Sequence, residues 1–255
     1  MVDILQIERL SIGYRYSKKK QVSLAKNINA GLAIGSFTAL VGRNGAGKST
    51  LLKTLSGLHM PLGGNILLEQ KNLKSYSRKD MATKLSLVFA NKFDSGNFTV
   101  YEMVSLGRYP YTNLFGKLSG LDKKLVNQAI EDLDISHLAN RRFMELSDGE
   151  KQKTLFARSL AQDTQMIFLD EPTAHLDYPS RLFVFQFLQK LAREKQKAIL
   201  ISTHELLLAQ EYADELWVLD GQGKLHTARQ EKPLTDSIWQ NVFGVIPRRS
   251  STTFL

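Results

Sequence analysis

The 255-residue sequence contains no cysteine, which excludes disulfides and thiolate metal centres. It also lacks any long apolar run. The richest stretch, LFVFQFL at 182–188, is far too short to cross a bilayer. The first residues, MVDILQIERL, alternate apolar and polar side chains as a strand does, without the basic start and unbroken apolar stretch of a secretory signal. No coiled-coil insert, low-complexity tract or internal repeat interrupts the chain. These shortages point to the cytoplasm. The length suits one large domain or two modest ones.

What is present is ordinary in bulk: 43% hydrophobic and 23% charged residues, as in soluble globular proteins. Lysine and arginine number 34 against 25 acidic residues, a net charge of +9. Apart from Lys18-Lys19-Lys20 and Arg248-Arg249 the surplus is scattered. Charge alone therefore does not choose among nucleic acid, an anionic membrane surface and a plain solvated surface.

The local patterns are more informative. FTALV, from residue 37, is long enough for a buried strand and too short for a helix. It runs into Gly42-Arg43-Asn44-Gly45-Ala46-Gly47-Lys48-Ser49, which fits the phosphate-loop pattern at every fixed position. LLKTLSG then reads as a helix with leucines at 51, 52 and 55 and a stop at Gly57. The three glycines permit a tight loop whose N–H groups converge on phosphate oxygens, and the helix behind it turns its positive end toward them. Lys48 is expected to reach the β- and γ-phosphates, Ser49 to place its hydroxyl on Mg²⁺, and Thr50 to lie beside the phosphates.

Two more apolar runs end in polar residues. MIFLD, from 166, ends in Asp170-Glu171; in an open parallel sheet, ligands sit at such carboxyl ends. There Asp170 can hold Mg²⁺ through water, and Glu171 can orient or deprotonate an attacking water. Pro172 argues against a helix starting directly after them. AILIS, 198–202, leads into Thr203 and His204, a possible donor to a γ-phosphate. A different signal is LSDGE at 146–150. Ser147 is a helix N-cap, Asp148 and Glu150 suit the first turn, and Gly149 strips that turn of a side chain so that something can approach the backbone. A helix start of this kind is an anion site.

In this order, the phosphate loop, LSDGE, Asp170-Glu171, Asp177 and His204 resemble the nucleotide-binding subunit of ABC transporters, over about residues 4–244. The resemblance implies an α/β P-loop NTPase with a RecA-like core, an antiparallel β subdomain and a helical subdomain carrying the signature. It divides a single ABC ATPase domain, 1–255, into a core (1–90 and 162–225), a helical part (91–161) and a C-terminal extension (226–255). It further implies that Ser147 and Gly149 hold the γ-phosphate of ATP bound by a second chain, that Asp177 supports the dimer interface, and that His204 is the switch histidine. Tyr14 would stack on adenine, with Tyr16 as the alternative. Catalytic roles fall to Glu171, His204 and Lys48; ATP-binding roles to Tyr14, residues 42–50, Ser147 and Gly149; metal binding to Ser49 and Asp170.

Two positions depart from the family pattern. Asp148 replaces the usual glycine of the signature and is expected to point away from the site. Where a glutamine usually follows the strand LSLVF (85–89), this chain has Ala90 and then Asn91. The stretch TVYEMVSLGRYPYTNLFG, 99–116, reads as a helix capped by Thr99 with Val100, Met103, Val104 and Gly107 on one face. It is similar to a segment of importer ATPases for iron–siderophore, haem and cobalamin, as is the tail LTDSIWQNVFGV, 234–245. The class implies ATP and Mg²⁺ as ligands, and as partners a second ATPase chain, a multi-span permease and, indirectly, an external binding protein. No nucleic acid is expected. The location would be peripheral, at the cytoplasmic face of the inner membrane. An ABC ATPase acting on DNA or the ribosome, a regulatory ATP-binding subunit and an exporter ATPase are the alternatives.

Overall fold

The computed structural model describes residues 3–17, 20–89, 97–113, 116–174, 176–229 and 234–244. The first half of the chain runs β1 (Asp3–Arg15), β2 (Gln21–Ala33), β3 (Phe37–Gly42), α1 (Lys48–Leu55), β4 (Gly63–Leu68), β5 (Lys71–Asn72), α2 (Arg78–Lys84) and β6 (Leu85–Phe89). Three helices follow: α3 (Val100–Ser105), α4 (Gly120–Asp132) and α5 (Asp148–Ala161). The remainder is β7 (Met166–Asp170), α6 (Tyr178–Lys195), β8 (Ala198–Thr203), α7 (Leu206–Tyr212), β9 (Glu215–Leu219), β10 (Leu225–Arg229) and α8 (Asp236–Phe243).

Two sheets result. One is antiparallel, in the order β2-β1-β4-β5; the other, in the order β10-β9-β3-β8-β7-β6, is parallel except for β10. Strands β3, β7 and β8 are buried along their whole length, which is why they read as unbroken apolar runs. Their alternate residues enter two cores. Phe37, Ala39, Val41, Ile167, Leu169, Ile199 and Ile201 pack with the apolar faces of α3 to α6. Leu40, Met166, Phe168, Ala198 and Leu200 pack with Leu51, Leu52 and Leu55 of α1 and with the antiparallel sheet. Each fully buried large apolar side chain contributes about 1.5–3 kcal/mol, so this sandwich holds the strands firmly. Parallel register pairs Val41 with Thr203 and Asp170 with Ser202, so the three strands end on one edge. This is the α/β architecture expected of a P-loop NTPase.

The helical segment is built from capping boxes. Thr99 with Glu102, Ser119 with Asp122 and Ser147 with Glu150 each exchange side-chain and backbone hydrogen bonds at the start of α3, α4 and α5. One buried ion pair ties them together. Arg108 Nε donates to Asp122 Oδ1 at 2.8 Å and Nη1 to the Ala161 carbonyl at 2.8 Å, while the Tyr111 ring lies 4.0 Å from the guanidinium. The charge is thereby satisfied inside the fold.

Some expectations are corrected. The helix read from Thr99 through Gly107 ends at Ser105 and passes into a 3₁₀ turn, Leu106–Tyr111, because Pro110 lacks the N–H that an α-helix needs there. Gly107 does not sit on a helix's apolar face but presses against α5: a Cβ there would lie 2.3 Å from the Arg158 carbonyl oxygen. The expected extension from 226 starts inside β10, which is an edge strand of the central sheet. Ala90, Asn91, Lys18, Lys19, Arg248 and Arg249 lie outside the described residues.

Candidate functional site

The phosphate loop connects the end of β3 to the start of α1. Gly47 caps α1 at φ 105°, in the left-handed region that glycine adopts without strain. Arg43, Asn44 and Gly45 are exposed on the rim, while Gly42 and Ala46 are buried at its base. Lys48 is only 5% exposed and folds back over the loop. Its Nζ donates to the Gly42 carbonyl at 3.0 Å and lies 3.2 Å from His204 Nε2 and 3.6 Å from Glu171 Oε1. Burial pushes the Lys48 ammonium below the ordinary lysine range, and the Glu171 carboxylate opposes that shift.

The other side of the site comes from the ends of β7 and β8. Ser49 Oγ donates to Asp170 Oδ1 at 2.9 Å, and Ser202 Oγ donates to the same oxygen at 2.6 Å. Ser202 also accepts the backbone N–H of Glu171 at 3.0 Å. Glu171 is held at φ 48°, an uncommon conformation for a non-glycine residue. Its Oε1 lies 2.7 Å from His204 Nε2. Lys48, Ser49, Asp170, Glu171 and His204 thus converge from three separate strand ends. Ser202 was not singled out in the sequence. Its only signal is a polar residue closing the apolar run AILIS, and its role becomes visible only through the register with Asp170.

The Ser49 hydroxyl and the Asp170 carboxylate are hard oxygen donors, the chemistry that suits Mg²⁺. That ion commonly takes one or two carboxylates and completes its shell with phosphates and water. Among the described residues no three His, Cys, Asp or Glu side chains form a metal cluster, which such a site does not require.

Tyr14 stands beside the loop. Its hydroxyl is 2.9 Å from Thr50 Oγ1, and its ring meets His59 edge-on with centroids 5.9 Å apart. Tyr14 is 39% exposed, and Tyr16, at 67%, is more exposed still. Asp177 caps α6, accepting the Ser180 N–H at 3.1 Å.

The LSDGE segment faces elsewhere. A cavity of about 520 Å³ beside Ser147 and Gly149 is walled by residues 134–138, by α5 and by Leu176 and α6, with no contribution from residues 42–50. Ser147 Oγ donates to Glu150 Oε2 at 2.8 Å, and that same oxygen accepts the Ser147 N–H at 2.8 Å. The Ser147 N–H and hydroxyl hold the Glu150 carboxyl below the usual range. The Asp148 side chain is exposed, its carboxylate 4.0 Å from Lys151 Nζ. Around the Cβ position of Gly149 the space is open. One chain therefore presents a phosphate loop and an uncovered helix start, but in different places.

Comparison with known proteins decides the family. The ABC transporter domain matches residues 25–174, and the ferric enterobactin transport ATP-binding protein FepC of Escherichia coli is 34% identical over 94% of this chain and 87% of that relative. The chain belongs to the ABC transporter family. The iron(3+)-hydroxamate import ATP-binding protein FhuC of Bacillus subtilis is 31% identical over 94% of the chain and 88% of its own length. Among solved structures, a metal-chelate type ABC transporter in an inward-facing conformation superposes with a TM-score of 0.82 at 28% identity, covering 95% of this chain and 90% of that one. This ABC ATPase has, among its described residues, no helix long and apolar enough to cross a membrane.

Proposed function

We propose that this ATPase powers the import of an iron chelate such as a siderophore, of haem or of cobalamin. Two copies would act on a multi-span permease from the cytoplasmic face of the inner membrane, with an external binding protein delivering cargo on the far side. The observation that carries the ATPase half of this reading is the convergence of Lys48, Ser49, Asp170, Glu171 and His204 at one sheet edge. The importer half is supported by relatives named for enterobactin, iron hydroxamate and, in Halobacterium salinarum, cobalamin import; the last is 35% identical over 79% of this chain and 50% of its own length.

The phosphates of ATP enter over residues 42–50, with the base against Tyr14. Lys48 then exchanges Glu171 and His204 for phosphate oxygens. That exchange frees the Glu171 carboxylate, which Lys48 and His204 otherwise engage at 3.6 and 2.7 Å. Glu171 is left to orient a water for in-line attack, and His204 to hold the γ-phosphate by a hydrogen bond. Ser49 and Asp170 would hold Mg²⁺, which would supply charge neutralisation to the phosphates. Positioning and charge stabilisation are what phosphoryl transfer asks of a protein.

The site is incomplete within one chain. Glu171 and His204 side chains are 31% and 43% exposed, so this face of the site is open to a second chain. In a head-to-tail pair, Gly149 at the start of α5 offers its N–H to the γ-phosphate bound by the other copy, and the Ser147 hydroxyl exchanges its bond to Glu150 for one to that phosphate. Asp177 lies at the same interface. Release of the pair after hydrolysis then moves the permease between its two access states.

The test is purification of the tagged chain from its native membranes in mild detergent, with mass spectrometry of the associated proteins. A multi-span permease supports the reading. Recovery of ribosomal proteins or DNA without a membrane partner overturns it in favour of a non-transport ATPase.

A further inference from the structure

The hydrolytic residues form a closed ring that includes a cation outside the phosphate chemistry. Glu171 Oε1 contacts His204 Nε2 at 2.7 Å. The next residue, Glu205, directs its carboxylate away from the phosphates, to Arg181 Nη1 at 2.6 Å. The same guanidinium donates from Nε to the Leu176 carbonyl at 2.8 Å. Leu176 precedes Asp177 and belongs to the segment that begins at Glu171. The chain therefore returns to its start: Glu171, Leu176, Arg181, Glu205, His204 and Glu171 again. Arg181 supplies a side-chain bridge that joins the two loops, bonded to the Leu176 carbonyl in one and to the Glu205 carboxylate in the other.

Both ends of the bridge stand at the starts of helices. Glu205 begins α7 without a side-chain cap bond of its own, at φ −81° and ψ 76°, and its N–H is taken by Thr203 Oγ1 at 3.0 Å. Arg181 lies in the first turn of α6, its N–H bonded to the Asp177 carbonyl at 3.0 Å. Asp177 and Arg181 therefore share one turn, and that turn carries the guanidinium bonded to Glu205. Arginine suits this task because its planar fork fixes two acceptors at once; a lysine ammonium would hold them only as a point charge. The Arg181 and Glu205 side chains are 34% and 27% exposed, so the bridge adds modestly to stability at best and its use lies in geometry.

We propose that Arg181 is a positioning residue that carries the docking of a second copy at Asp177 to the switch histidine His204, through Glu205. The inference rests on the shared-site reading of the dimer. Arg181 touches neither nucleotide nor water; it acts by setting where His204 and Glu171 stand when the partner arrives.

The experiment uses the purified full chain and three variants: Arg181→Met, Glu205→Gln, and the reversed pair Arg181→Glu/Glu205→Arg. ATP affinity, thermal melting and the ATP dependence of steady-state hydrolysis are measured for each. Both single variants should lose about tenfold in kcat, keep ATP affinity within about twofold, and show weaker cooperativity toward ATP. The reversed pair should recover at least about half of the lost rate, as coupled residues do in a double-mutant cycle. Unchanged kcat and cooperativity in both single variants would overturn the inference. So would losses that add in the reversed pair, or that track a fall in melting temperature and ATP affinity. A wild-type chain that binds ATP but never hydrolyses it, with or without its membrane partner, is a separate result. That outcome overturns the hydrolytic reading itself and removes this inference with it.

Discussion

Adding one methyl group at Gly149 separates a helix's stability from its use by a second chain. The residue lies in the first turn of α5, its φ is not in the left-handed region, and an added Cβ would meet nothing within 4 Å. In the isolated chain, Gly149→Ala therefore carries no steric cost. Alanine is favoured over glycine in a helix by up to about 1 kcal/mol, and for a chain this size that raises Tm by about 2–4 °C. In a shared site the same methyl stands where a phosphate oxygen must come within hydrogen-bond distance of the backbone. Losing one such preorganised donor costs about 2.7–4 kcal/mol of barrier, or about 10²–10³ in kcat. ATP affinity of the single chain should be unchanged, because residues 42–50 are untouched. Calorimetric melting, equilibrium ATP binding and steady-state phosphate release check the three parts. The predicted signature is a more stable protein that binds ATP normally and turns it over very slowly. Turnover within about twofold of wild type would refute the reasoning, because no phosphate could then be approaching Gly149.

Two further predictions concern charge. Lys48→Ala removes the buried ammonium now bonded to the Gly42 carbonyl and close to His204 and Glu171. Hydrogen bonds to charged groups contribute about 1.5–3 kcal/mol, so ATP should bind about 10–100-fold more weakly by equilibrium titration; unchanged affinity would contradict the phosphate-loop assignment. Asp122 has its carboxyl held below its ordinary value of 3.8, first by the Ser119 hydroxyl and also by Arg108. A depressed carboxyl stabilises the fold at pH above 3.8 and loses that contribution as pH falls through the lower folded value. Asp122→Asn strands the buried Arg108 charge and should be about 3–5 kcal/mol less stable near neutrality. Its melting temperature should nevertheless fall less steeply than wild type on acidification, and parallel acid limbs would contradict this.

The parts of the site that were legible in the sequence are those where local chemistry and position coincide. Strands β3, β7 and β8 are buried on both faces and announce themselves as apolar runs. The polar residues that end them, Gly42 onward, Asp170-Glu171 and Thr203-His204, fall on one edge because parallel strands share a direction. The helix starts at Thr99 and Ser147 were readable because a capping box is a four-residue signal. The rest depends on separation. Ser202 matters through Asp170, 32 residues away, and Arg181 through Glu205, 24 residues away. Arg108 reaches the Ala161 carbonyl across 53 residues. Periodicity carries no information about such partners. The 3₁₀ turn at Leu106–Tyr111 was missed for a related reason: Gly107 has the spacing of a helix face, but its requirement comes from the Arg158 carbonyl on α5.

In the proposed mechanism ATP closes two copies of this chain around a site neither completes alone. Glu171→Gln keeps the shape of the side chain while removing the carboxylate charge proposed to orient water. The most direct measurement is the solution mass of that variant, by light scattering after chromatography, with and without ATP and Mg²⁺. The expected result is a single chain of 28.8 kDa without nucleotide, twice that mass with ATP, and no detectable hydrolysis. A variant that remains at the mass of one chain in saturating ATP while hydrolysing it at the wild-type rate would contradict both the shared site and the role given to Glu171.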